Sequence, residues 1–108
     1  MTTSNFENPE DEKLAVLARA TLRRTGAKQA GALRDSTGRT YTGINISTSS
    51  FSVDAAEALL TISLASQISG IESAVFMGDK HFNIVLLREY SPHCTLWFLA
   101  ESGEITAL

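Results

Sequence analysis

Hydrophobic positions near the start of the chain recur with a helical period. Leu14 and Ala18 lie four residues apart, a spacing that places their side chains on one face of a helix. The residues before them are typical of a helix start, because Asn8 can cap the first turn and Pro9 suits its first position. Gly26 is a typical helix end. The pattern therefore predicts an amphipathic helix between Pro9 and Gly26.

A shorter alternating pattern follows and predicts a β-hairpin. Residues 28–33 are rich in alanine and glycine, whose small side chains let a helix pack close against a strand. Asp35 and Gly38 stand at positions typical of a turn. Residues 40–46 alternate well enough to form the return strand and include good strand formers.

The most apolar helical segment runs from residue 52 to residue 64 and carries Glu57 near its start. Ser52 or Asp54 is its predicted N-cap. Two apolar stripes run side by side along this helix; one comprises Ala56, Leu60 and Leu64, and the other comprises Ala55, Leu59 and Ile62. A helix that is apolar over so much of its surface is expected to be buried on more than one side.

Three further segments have the pattern of strands. Residues 71–77 predict a short apolar strand. Because a long helix separates it from the strand at residues 40–46, we expect these two strands to pair in parallel through a crossover. Residues 95–99 predict a core strand, and residues 104–106 predict a short final strand.

The segment between Gly78 and Tyr90 fits two structures. Its apolar run at residues 82–87 is typical either of a buried strand or of a short helix, and periodicity does not separate the two. Asp79 is a suitable N-cap, and polar residues precede Pro92. We therefore predict a helix of about three turns.

Size and composition narrow the classes of function. The 108 residues suit one domain, expected at residues 9–108 after a flexible N-terminus of residues 1–8. A net charge of -3, without a basic stripe interleaved with aromatic residues, argues against a nucleic-acid partner. The chain lacks a signal-peptide pattern and a bilayer-spanning apolar run, so we expect no membrane partner. The only cysteine, Cys94, excludes an internal disulfide and favours a cytoplasmic location.

Few residues carry chemistry by their type and spacing alone. Glu57 is a candidate acid/base group, but the helix dipole also favours a carboxylate at a helix start, and we favour that structural role. His81, His93 and Cys94 are candidates for a metal site. Adjacent strand residues point to opposite faces and the spacing matches no motif, so we predict no metal site there.

Two parts of the chain resemble a known family. Residues 31–46, which read GALRDSTGRTYTGINI, resemble the first hairpin of the small homotetrameric cytidine deaminases. The tripeptide at residues 55–57, Ala-Ala-Glu, then stands where that family has Cys-Ala-Glu or His-Ala-Glu at a helix start. Residues 95–99 and 103–105 are similar to its late strand and turn. The resemblance extends from Leu14 to Thr106 and implies the cytidine-deaminase-like fold, a three-layer α/β/α sandwich with a mixed sheet.

The same resemblance implies a zinc site whose ligands are missing. In the family, a His or Cys and two further Cys hold zinc, water takes the fourth position, and a non-ligand glutamate moves the proton. Ala55 stands at the first ligand position and has no donor atom. If residues 78–90 are the second zinc helix of the family, Lys80 and Asn83 stand where the two cysteines of its Pro-Cys-x-x-Cys turn are expected. Glu57 alone matches the family's catalytic residue.

The nucleoside contacts implied by the resemblance are half present. Asn45 matches the residue that holds the ribose, whereas Ser47 stands where a glutamate is expected. Apart from the resemblance, Asn45 is a typical strand-end residue that bonds to nearby backbone. In a further hypothesis, the Lys80 ammonium replaces the charge of zinc and pairs with Glu57, and a separation of about 4 Å or more would contradict it. The candidate ligand-binding residues are Asn45, Ser47, Ala55, Glu57 and Lys80.

We therefore expect a catalytically silent cytidine-deaminase-like protein without zinc or another cofactor. It is expected to bind a nucleoside-like ligand or to serve as an oligomeric interaction module. The resemblance implies assembly around the helix at residues 52–64 into a homodimer or homotetramer, and a second apolar stripe is more than so short a chain needs to bury alone. One alternative is an active cytidine or nucleoside deaminase with an altered site. Another is a structural oligomer that supports a partner enzyme.

Overall fold

A mixed β-sheet with helices on both faces organises the chain. The computed structural model describes residues 2–3 and 5–108, and no helix in this part is long and apolar enough to cross a membrane. In chain order, the elements are β1 (Thr2–Thr3), α1 (Pro9–Thr25), β2 (Gln29–Asp35), β3 (Thr40–Ile44), β4 (Ile46–Ser47), β5 (Ser52–Val53), α2 (Ala55–Ala65), β6 (Ile71–Gly78), α3 (Val85–Tyr90), β7 (Thr95–Leu99) and β8 (Ile105–Ala107).

Six strands form the main sheet in the order β1-β8-β7-β6-β2-β3. β6 and β7 run parallel, and the other neighbouring strands run antiparallel. The predicted parallel pairing of β3 with β6 is wrong, because β2 lies between them. Ala30 of β2 pairs with Ile44 of β3 on one side and with Met77 of β6 on the other. The parallel pair is instead β6 and β7, which α3 connects.

The two faces of the sheet carry separate hydrophobic cores, which confirms the predicted three-layer α/β/α sandwich. One core lies under α1 and includes Leu14, Ala32 and Val75. The other lies under α2 and α3 and includes Leu59 and Phe76. Neighbouring residues of one strand contribute to opposite cores, as the two-residue period of a strand requires.

The predicted hairpin forms, and its turn is built on Asp35. The Asp35 Oδ1 accepts hydrogen bonds from the Thr37 backbone N–H at 2.9 Å, the Thr37 hydroxyl at 2.7 Å and the Arg39 backbone N–H at 2.9 Å. Burial of this carboxyl opposes its ionisation, but the hydrogen bonds outweigh burial and hold its pKa below the ordinary value. The turn therefore depends on an ionised, buried carboxylate.

Two glycines let α2 approach the sheet closely. Gly31 of β2 and Gly43 of β3 are register partners in the hairpin. A Cβ on Gly31 would lie 2.5 Å from the Phe76 ring, and a Cβ on Gly43 would lie 3.0 Å from the Leu59 backbone. Gly43 is therefore where the helix backbone meets the sheet, and Gly31 leaves room for the side chains of Phe76 and Leu59.

Part of the N-terminal segment contacts the main sheet at β8 and at Trp97. Thr2–Thr3 forms an edge strand beside β8, and the ring of Phe6 packs edge-on against Trp97 at a centroid distance of 5.8 Å. Met1 and Ser4 lie outside the described residues. Helix α1 then begins as predicted, because the Asn8 side chain accepts a hydrogen bond from the Glu10 backbone N–H at 2.9 Å.

The predicted three-turn helix over residues 78–90 is wrong. Gly78 ends β6 with a φ of 99°, and the helix there, α3, spans only Val85–Tyr90. Asp79 does not cap it, because its carboxylate instead accepts a hydrogen bond from the His81 backbone N–H. The ring of Phe82 packs between Phe76 and Phe98, at centroid distances of 4.9 and 6.1 Å. This aromatic packing holds residues 79–84 as a loop.

The strand predicted at residues 40–46 ends two residues early. β3 stops at Ile44, and Ile46–Ser47 pairs with Ser52–Val53 in a separate two-stranded hairpin. Within that hairpin, the Thr48 backbone N–H donates to the Phe51 carbonyl at 2.7 Å. The hairpin leads directly into α2 and presents Phe51 to solvent.

We predict that Gly31→Ala destabilises the fold by about 1–3 kcal/mol, because the new methyl overlaps the fully buried ring of Phe76. Urea unfolding measures the effect as a lower transition midpoint. Gly70→Ala is the matched control, since a Cβ there meets nothing closer than 3.9 Å and its change is expected within about 0.5 kcal/mol. Equal midpoints for the two variants would contradict the tight packing of the Phe76 ring over Gly31.

Candidate functional site

The start of α2 is a complete capping box that contains Glu57. Asp54 Oδ1 accepts a hydrogen bond from the Glu57 backbone N–H at 2.8 Å. Glu57 Oε1 in turn accepts one from the Asp54 backbone N–H at 2.9 Å. The Asp54 cap confirms one of the two predicted caps. The Glu57 carboxylate thus has a structural partner within its own helix start.

The second oxygen of Asp54 reaches the loop of residues 79–84. Asp54 Oδ2 accepts a hydrogen bond from the Asn83 backbone N–H at 2.7 Å. One carboxylate therefore serves two backbone donors, one in α2 and one in the loop. The positions that the resemblance assigns to the three zinc ligands, Ala55, Lys80 and Asn83, belong to these two chain segments.

Gln29 joins the same two segments and was not singled out by the sequence. Its side chain is buried at the first position of β2. Gln29 Oε1 accepts a hydrogen bond from the Ala55 backbone N–H at 3.0 Å. Gln29 Nε2 donates to the carbonyl oxygens of Asp79, at 3.1 Å, and His81, at 2.9 Å. The available signal was one polar residue directly before the small, buried residues 30–32.

Asn45 lies next to this network, whereas Ser47 lies away from it. Asn45 Oδ1 accepts a hydrogen bond from the Gln29 backbone N–H at 2.9 Å. This contact is the structural role expected of a strand-end asparagine. Ser47 is exposed on β4, where it pairs with Ser52. The structure therefore joins Asn45 to Gln29, whereas Ser47 lies on the exposed hairpin that precedes α2.

The hypothesis that Lys80 pairs with Glu57 is wrong. No ion pair within 4.0 Å joins them among the described residues. The Lys80 ammonium instead lies over the ring of Phe98, 5.5 Å from its centroid. The Glu57 carboxylate is engaged by the Asp54 backbone. The two charges thus have separate partners.

The three candidate metal ligands, His81, His93 and Cys94, do not form a cluster. His81 Nδ1 lies 2.6 Å from Asp79 Oδ1, and this hydrogen bond, more than any other contact, lowers the pKa of Asp79. His81 and His93 are exposed, while Cys94 is buried and burial raises the pKa of its thiol. Within residues 2–3 and 5–108, no three His, Cys, Asp or Glu side chains are grouped so as to hold a metal ion.

A mostly apolar cavity of about 460 Å³ opens beside α2. Its walls come from the end of α1, from β3, from the β4–β5 hairpin and from Ala58, Thr61 and Ile62 of α2. None of the five candidate ligand-binding residues lines it. The cavity is therefore separate from the network around Gln29.

At the start of α2, the polar groups form hydrogen bonds with one another. The helix N-terminus has backbone N–H groups without partners inside the helix, and Gln29 and Asp54 accept hydrogen bonds from two of them. This arrangement supplies rigidity and a cap. It presents neither a cluster of metal donors nor a nucleophile paired with a base.

We predict that Asp54→Ala lowers the unfolding free energy by about 2 kcal/mol, because it removes both the cap of α2 and the acceptor for Asn83. Glu57→Gln is the control: glutamine also completes a capping box, so its change is expected within about 0.5 kcal/mol. Thermal and urea unfolding measure both values. A larger loss in Glu57→Gln than in Asp54→Ala would contradict the capping role.

Comparison with known proteins agrees with this fold. A family model described as cytidine deaminase-like matches residues 7–103. The crystal structure of cytidine deaminase from Mycobacterium leprae is similar, with a TM-score of 0.66 and 16% identity over 89% of this chain and 91% of that one. Cytidine deaminase from Burkholderia pseudomallei gives a TM-score of 0.76 and 17% identity over 90% of each chain. Curated protein sequences give no match. This chain belongs to the cytidine deaminase-like family.

Proposed function

We propose that this chain is a metal-free, catalytically silent family member that acts as an oligomeric interaction module. The observation that carries the proposal is the start of α2. There a fully buried alanine, Ala55, stands at the expected zinc-ligand position, and the neighbouring carboxylates serve as helix caps.

The residues at the family's ligand positions do not fit a zinc ion. Zinc sites use Cys, His, Asp or Glu side chains as donors. Ala55 offers a methyl group and Lys80 a cation that lies over Phe98. Asn83, in the same loop, offers a neutral amide, and its backbone N–H donates to Asp54. No step of a reaction is therefore assigned to a metal here.

Without a metal, Glu57 would have to take a proton from ordinary water, which is a very weak acid. A catalytic zinc ion lowers the pKa of its bound water from about 16 to about 7, which generates a nucleophile at neutral pH. Glu57 alone would act on nearly unperturbed water, and its carboxylate is already bonded to the Asp54 backbone. These facts support a silent protein over an active deaminase with an altered site.

An apolar surface supports the role in interaction. We define the α2 outer face as Ile46, Phe51 and Ile62, which are 37%, 56% and 43% exposed. All three line the cavity beside α2. Only one side of α2 is buried in a single chain, whereas the two apolar stripes suit burial on two sides. A homodimer or homotetramer that covers this face is the proposed assembly.

Two finer points belong to the same proposal. A nucleoside-like ligand near Asn45 is a secondary role, supported by its position at the start of α2. A cytoplasmic location suits the buried free thiol of Cys94, because thiols stay reduced there.

The proposal predicts the metal content and the activity of the purified protein. The purified protein is expected to contain far less than stoichiometric zinc by plasma mass spectrometry, and its melting temperature is expected to be unchanged by a chelator. With cytidine it is expected to release no ammonia, and Glu57→Gln is expected to behave identically. Nucleosides that bind the folded state would raise the melting temperature. Stoichiometric zinc, or ammonia release that Glu57→Gln abolishes, would overturn the silent assignment.

The proposal also predicts how the protein assembles. Ile62→Glu is expected to convert the oligomer to a monomer, because it places a charge in the α2 outer face that association would bury. Val16→Glu is the matched control, since Val16 is 54% exposed on α1, on the opposite side of the sheet. Sedimentation velocity measures the mass of each variant. A monomeric wild type, or equal dissociation of both variants, would count against the proposal.

A further inference from the structure

We propose that the Gln29 carboxamide replaces a metal ion as the cross-link between α2 and the loop of residues 79–84. The term Gln29 bridge denotes its three side-chain hydrogen bonds, to the backbones of Ala55, Asp79 and His81. The inference rests on the proposed absence of a metal site.

The Gln29 bridge connects the two segments that a metal between positions 55, 80 and 83 would connect. Its oxygen faces the first residue of α2, and its nitrogen faces two carbonyl oxygens of the loop. Gln29 is only 5% exposed, so little water competes for these contacts. Its backbone is fixed as well, since its N–H donates to Asn45 and its strand pairs with β3 and β6.

The chemistry of the site matches a primary amide in particular. One backbone N–H and two backbone carbonyls converge on Gln29, which requires one acceptor and two donors. A glutamine side chain offers one carbonyl oxygen and two N–H donors. An ionised glutamate offers acceptors only, and an apolar side chain of the same length offers neither. A cation would attract the carbonyls but repel the N–H.

The Gln29 bridge itself needs neither a metal ion nor a particular pH, because an amide does not titrate in the physiological range. The loop has two further attachments, from the Asn83 backbone to Asp54 and from the ring of Phe82 to the aromatic core. Asp79 N–H adds a bond to the Lys28 carbonyl at 3.0 Å.

The test measures amide hydrogen exchange in the whole protein. Gln29→Met preserves length and removes all three bonds, so exchange at the Ala55 and Asn83 amides is expected to rise on the order of 100-fold relative to wild type, the factor that three ordinary hydrogen bonds contribute. Ser63→Ala is the control. It removes a buried hydroxyl from α2 that bonds only to the Leu59 carbonyl, and it lowers global stability without touching the bridge.

Gln29→Glu separates bridging from simple packing. At pH 8 its carboxylate repels the two loop carbonyls but still accepts from the Ala55 N–H, so fast exchange is expected at Asn83 in the loop and protection is expected to stay at Ala55. At acid pH the protonated carboxyl regains one donor, and partial protection is expected to return after correction for the intrinsic pH dependence of exchange.

Wild-type exchange in Gln29→Met, or equal acceleration in Ser63→Ala, would overturn the bridge. So would a Gln29→Glu profile that does not change with pH. Zinc in the wild-type protein would overturn the proposed function by a different measurement, which leaves the two failures distinguishable.

Discussion

A buried amide that must satisfy all its hydrogen bonds is the constraint on which the rest of this structure depends. Gln29 is enclosed at the first position of β2, and a buried polar group without partners costs about 1–3 kcal/mol. Its partners come from α2 and from the loop after β6. Three elements that are distant in sequence are therefore fixed relative to one another at one point. The capping box of Asp54 and Glu57 and the Asn83 contact surround that point.

The elements that the sequence predicted are those whose causes are local. The Asn8 cap, the Asp54 cap and the Asp35 turn each act over two to four residues, so the residue types alone indicate them. The position of α2 follows from the small residues of the β2–β3 hairpin, which α2 covers. The resemblance added the order of the layers, which periodicity alone did not supply.

The features that sequence reasoning missed have distant causes. The three Gln29 hydrogen bonds join residues that are 26, 50 and 52 positions apart in the sequence, so no pattern near Gln29 indicates them. Residues 79–84 have a helix-like apolar pattern, yet the ring of Phe82 lies in the aromatic core and Gly78 turns the chain with a positive φ. The pairing of β2 between β3 and β6 likewise depends on the whole sheet. At these places, tertiary contacts override the local secondary-structure propensity.

Glu57 has a structural reason for its position that does not depend on the resemblance. Position three of a helix is where a carboxylate can return a hydrogen bond to the cap, and Glu57 makes that bond to Asp54. The residue two positions earlier, Ala55, instead contributes a methyl to the buried core and its N–H to Gln29. A helix start whose donors and acceptors are already satisfied is rigid, and this rigidity also fixes the direction of α2. The inner side of α2 is then held against Gly31 and Gly43, so its outer apolar side remains available for a partner.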